Sequence, residues 1–214
     1  VTLKAQIADY LSALQTASAA TKKFAAESAV KDHKKAWEDL SRTAMGAGLA
    51  IGAGLALAVV KFAEFDHAMS AASAASRATG VELEALRDLA MRLGKDTQYS
   101  ATEAAQGITE MAKAGVATKD IINGGLKGAL SLAAAGQLEV GRAAEIAATA
   151  MNQFGLAGKD LPHVADLFAA AAGKAQGSAE DVAQAMKFVG PVAKSLGVSI
   201  EETTGIIAEF ASKG

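Results

Sequence analysis

Helical runs closed by single glycines set the terms for this chain. Gly80, Gly115, Gly136, Gly155, Gly177 and Gly197 each follow an amphipathic run, where a left-handed residue commonly ends a helix. Start signals come soon after. Ser100 with Glu103 and Ser199 with Glu202 read as capping boxes, and Thr118, Asp160 and Ser178 are candidate N-caps, with Pro162 tolerated in a first turn. Alanine runs such as 169–172 favour helix, aromatic residues make up only 5% of the chain, and the sole prolines are Pro162 and Pro191. The expected fold class is therefore all-α, with Gly190-Pro191 breaking or kinking the helix that starts after Ser178.

The junctions resemble one another. Gly115-Val116, Gly155-Leu156 and Gly197-Val198 each place an apolar residue after the glycine and a new cap beyond it, and Thr79-Gly80-Val81-Glu82 is a partial fourth. The three full junctions are spaced at about 40 residues, an interval typical of stacked helix pairs. Such pairs and a non-repeating helical bundle both satisfy the pattern.

Upstream, two further zones separate from this multi-helix zone of residues 62–214. In residues 1–43, Leu3, Ile7, Tyr10, Leu14, Ala17, Thr21 and Phe24 follow a 4-3 spacing, as a coiled-coil seam does. No glycine or proline interrupts before Gly46, so a long N-terminal helix is expected. It either bundles with copies of itself, with Leu3, Ile7, Tyr10, Leu14 and Phe24 as the oligomer seam, or lies on a globular core. In residues 44–61, no charge occurs from Ala44 to Val60, and small residues recur through Gly46, Ala50 and Gly54 and again through Gly48, Gly52 and Ala56. Such faces let helix backbones approach closely. The stretch stands at the lower edge of transmembrane length, so burial in a protein assembly and membrane insertion are both open.

Reactive chemistry is poorly supplied. His33, His67 and His163 are the only histidines, and none has a second ligand at metal-binding spacing. No Gly-x-Ser-x-Gly elbow occurs. The glycine-rich stretch 46–54 lacks the third glycine of a dinucleotide fingerprint, and no Gly-Lys-Ser/Thr follows it. Asn123-Gly124 reads as a bend in a helix, and Glu180-Asp181 and Glu201-Glu202 as first-turn carboxylates that favour the helix dipole. A net charge of −2 gives no general pull toward nucleic acid, and Lys31, Lys34 and Lys35 read as a solvated helix face. Cysteine is absent, so there is no disulfide or thiolate site. The chain opens and closes without the look of natural termini, which points to a piece of a longer protein. No catalytic, cofactor-binding or metal-ligating residue is singled out, and the chain is read as structural.

An ordered series of segments carries a family resemblance: FAEFDHAMSAASAASRATG, LRDLAMRLGKDTQYSATEAAQGITEMAKAG, INGGLKGALSLAAAG, AAEIAATAMNQFG, VADLFAAAAGKAQGSAEDVAQAM and LGVSIEETTGIIAEFASKG. Across residues 62–214 this succession resembles the core domain of phage tail tape-measure proteins. The resemblance implies a structural tail protein whose length templates tail tube assembly. It would lie in the tail lumen or at the tip, pass through the host cytoplasm during assembly, and leave during DNA ejection with contact to the host membrane. The partners implied are copies of itself, a trimer among the arrangements, with tail tube and tail-tip proteins and assembly chaperones. No sequence-specific nucleic-acid binding is expected. The alternative is a membrane-active, pore-forming helical protein inserting through residues 44–60.

Overall fold

The computed structural model describes residues 49–175 and 177–213. Eight helices and no strand occur among them: α1 (Leu49–Ser76), α2 (Gly80–Asp96), α3 (Ala101–Lys113), α4 (Leu126–Gly136), α5 (Val140–Phe154), α6 (Leu161–Ala175), α7 (Ala179–Ser195) and α8 (Ile200–Lys213). The protein is all-α. Two compact units meet within α1, the first ending at Glu64 and the second running from Phe65 onward. The seam residues Leu3, Ile7, Tyr10, Leu14 and Phe24, with Gly46 and Gly48, lie outside the described residues. Ala50, Gly52, Gly54 and Ala56 fall on α1.

The transmembrane-like expectation is not sustained by α1. Its apolar stretch ends at Lys61, followed by Glu64 and Asp66, and no helix among the described residues is long and apolar enough to cross a membrane.

In the second unit, α1 contributes Phe65, Ala68, Met69 and Ala72, spaced one helical turn apart and all buried. The Arg87 side chain of α2 ties to this face. Its Nη2 donates to Asp66 Oδ1 at 2.7 Å, and its guanidinium lies over the Phe65 ring, 5.5 Å from the centroid. The remaining helices form three pairs, α3/α4, α5/α6 and α7/α8. First members pack on first members (α3 on α5, α5 on α7), and second on second (α4 on α6, α6 on α8). This two-layered stacking follows from pairs that each need a neighbour to bury their apolar side.

Several start signals behave as their chemistry predicts. The Ser100 and Ser178 hydroxyls accept from the backbone N–H groups of Glu103 and Asp181, whose carboxylates accept in return. Ser199 and Glu202 exchange the same bonds at 3.2 Å. Other punctuation differs. Gly80 opens α2 behind a Thr79–Glu82 capping box, and the left-handed residue after α1 is Arg77 (φ 51°). Gly136 stays helical, while Gln137 (φ 52°) takes the left-handed turn. Ahead of α4, Gly124 (φ 121°) kinks the chain as Asn123-Gly124 implied.

Pro191 does not break α7, which runs through it to Ser195. Proline removes the N–H that would bond the carbonyl four residues back, here that of Lys187. Gln153 of α5 supplies the missing donor, its Nε2 lying 3.4 Å from the Lys187 oxygen. Gly190 makes room for that side chain, because a Cβ there would strike Gln153 Oε1.

Candidate functional site

The side chains with reactive potential do not converge. His163 Nε2 lies 3.3 Å from Glu201 Oε1, and both side chains are more than half exposed. Among the described residues no three histidine, aspartate or glutamate side chains gather as a metal site. A cavity of about 160 Å³ lies between α5, α6 and α7, lined by Ile146, Ala150 and Phe168 on one side and Ala183 and Met186 on the other. Arg142, Glu145, Thr149, Gln184 and Lys187 line the rest of its wall.

What the molecule builds with care are the junctions inside each pair, between its first and second helix. Gly115 (φ 85°), Gly155 (φ 68°) and Gly197 (φ 77°) all adopt the left-handed conformation. The next residue closes each helix with the same bond: Val116 N–H to the Met111 carbonyl (3.0 Å), Leu156 to Met151 (3.0 Å) and Val198 to Ala193 (2.9 Å). The three full junctions of the sequence thus share one closing bond, which Leu138 to Ala133 (2.9 Å) and Gly177 to Ala172 (3.1 Å) also make at the turns between pairs.

A second set of bonds links one pair to the next. Asn152 Nδ2 donates to the Ala114 carbonyl at 2.8 Å, and Lys194 Nζ donates to the Phe154 carbonyl at 2.8 Å. Each donor stands three residues before its own junction glycine, and each acceptor stands one residue before the preceding glycine. Helix ends leave carbonyls without intrahelical partners, and here a side chain of the following pair satisfies one of them. Asp120 works across the same boundary, its Oδ1 accepting from the Gly158 N–H at 3.2 Å.

Electrostatics add clamps between the second and third pairs, Lys174 Nζ to Glu209 Oε2 (2.6 Å) from α6 to α8 among them. Arg142 of α5 holds Glu180 of α7 through Nε (3.0 and 3.1 Å) and Nη2, and Glu145 through Nη1 at 2.6 Å. The Arg142 hydrogen bonds hold the Glu180 carboxyl below its ordinary range against the opposing effect of burial, and the same bonds raise the Arg142 guanidinium. With Arg142 more than a third exposed, such a pair contributes at most about 1 kcal/mol.

Asn152 and Lys194 were not singled out by sequence. Their signal was available in registration on the junction glycines, which puts both at the same position of the repeat.

This arrangement defines an all-α protein of stacked helix pairs. Residues 87–214 match the family described as phage-related minor tail protein, and the chain belongs to that family. It is 36% identical over 217 residues to the tape measure protein of Pneumococcus phage Dp-1, covering 97% of this chain and 18% of that one. It is 29% identical over 161 residues to the probable tape measure protein of Escherichia phage P2, covering 75% of this chain and 20% of the relative. The chain thus spans a fifth or less of the length of these relatives. No solved structure shows significant similarity.

Proposed function

We propose that this chain is a helical portion of a phage tail protein that serves as a length template for tail tube assembly. It lies in the tail lumen or at the tip and leaves during DNA ejection. Membership of the minor tail family and the two similar tape measure proteins support a tail component. The observation that carries the reading is the bond that Asn152 and then Lys194 makes from one helix pair to the pair before it, a device for adding like units along one direction. The part played is structural, without catalysis. Its partners are tail tube and tip proteins, assembly chaperones, and copies of itself through the seam of Leu3, Ile7, Tyr10, Leu14 and Phe24 and the small-residue stripe of Gly46, Gly48, Ala50, Gly52, Gly54 and Ala56.

Tail length measured by electron microscopy tests the template role. Inserting four extra helix pairs into the parent protein adds about 40 Å if pairs stay stacked at about 10 Å each. The same residues as a continuous helix would add about 240 Å. Either increment supports a template and tells which form is measured; tails of unchanged length overturn it.

A further inference from the structure

The third pair carries an apolar face that the second pair buries. Phe188, Val189, Val192 and Leu196 on α7, with Ile206 and Phe210 on α8, are exposed, Phe188 and Phe210 each at 76% and Leu196 at 74%. Registered on the junction glycines Gly197 and Gly155, these six positions correspond in order to Ile146, Ala147, Ala150, Phe154, Val164 and Phe168. All six of those are buried, none more than 5% exposed. What covers them is the next pair: α7 packs on α5 and α6, α8 packs on α6, and Ala183 and Met186 of α7 share a cavity wall with Ile146, Ala150 and Phe168. The side of α7 turned inward is narrow and small, built from Ala179, Val182, Ala183, Met186, Gly190 and Ala193.

We infer that the exposed face of α7/α8 is a docking surface for one more helix pair of the same polypeptide, following Lys213. Its first helix would be amphipathic, with alanine, valine and methionine at one-turn spacing, as in α7. The register says more. Phe154 and Ala114 receive side-chain donors from the pair that follows, and Leu196 occupies the same position in the third pair. The incoming helix would then carry an asparagine or lysine three residues before its own closing glycine, aimed at the Leu196 carbonyl.

Two observations select this occupant. The matched stretches make up only 18% and 20% of the two tape measure relatives, so those polypeptides run well beyond one such stack. A second copy of this chain is a poorer fit, because the helix face it would have to offer is buried in its own fold: Val182 and Met186 are each 2% exposed. The inference does not depend on the tail reading.

The chain has no cysteine, so single probes report cleanly. Phe188→Cys and Phe210→Cys would be labelled with a maleimide in the 214-residue protein and in a version extended by about 45 parent residues, one repeat. Labelling is expected to slow at least about tenfold in the longer protein, the range of a packed against an open site. Val81→Cys, on a residue 83% exposed in α2, should label equally in both. As a second readout, Phe210→Asp should lower the melting temperature of the longer protein and leave that of the shorter one unchanged. Equal labelling in both lengths overturns the inference. So does protection in the shorter protein that grows with its concentration, which marks a second copy, or that requires lipid vesicles, which marks a membrane.

Discussion

The interface between the first and second helix pairs and the one between the second and third are made of different material. At the first, backbones nearly touch. A Cβ on Gly128 of α4 would meet Leu161 Cβ at 2.5 Å, and one on Gly158 would run into the Asp120 carbonyl. At the second, the position of Gly128 is filled by Phe168, 1% exposed, and that of Gly158 by Ile200, 3% exposed. One repeat architecture therefore tolerates opposite errors at its two interfaces. The glycine interface resists growth, because overpacking has nowhere to go, and the side-chain interface resists truncation, because a cavity cannot collapse.

Substitution tests this contrast directly. Phe168→Ala is expected to cost the most, about 3–5 kcal/mol in urea unfolding, and Phe168→Leu clearly less. Gly158→Ala should follow at about 2–3 kcal/mol, from forced backbone movement. An ordinary helical glycine would instead gain about 0.5–1 kcal/mol on the same change, and such a gain would break the comparison. Asn152→Ala and Lys194→Met should each cost about 1 kcal/mol, and the double variant should show the sum within experimental error, since each bond sits at a separate junction.

The smallest effect concerns pH. Glu103 is held below its ordinary value of 4.5 by bonds from the Ser100 N–H and hydroxyl, and Asp181 below 3.8 by the Ser178 hydroxyl and N–H. Glu180 is lowered by Arg142. With folded values beneath unfolded ones, the stabilisation is present above pH of about 4.5 and disappears as acid protonates the folded carboxylates. Melting temperature should hold from pH 7 to 5 and decline below 4; replacing Ser100 and Ser178 by alanine should flatten that decline.

Much of this was readable from residue order. Left-handed closure at Gly115, Gly155 and Gly197, and the Ser100, Ser178 and Ser199 caps, depend on contacts within a few residues, where sequence and conformation are tightly linked. Gly80, Gly136 and Gly177 misled because glycine permits a left-handed turn without requiring one; Arg77 and Gln137 took it beside the first two. Pro191 left its helix unbroken for a different reason. The donor that rescues Lys187 comes from Gln153 on another helix, and such a partner appears only when the helices are stacked. Asn152 and Lys194 became legible once the repeat was in register, and the apolar face of α7/α8 only once burial was known.

The carbonyl caps at the junctions also give the stack a polarity. Both donors, Asn152 and Lys194, reach backward along the chain, so each pair completes its predecessor and is itself completed from the far side. Shedding the rearmost pair leaves the carbonyl in front of it uncapped, whereas shedding the foremost leaves a donor side chain without its acceptor. The two ends of such a column are therefore chemically distinct.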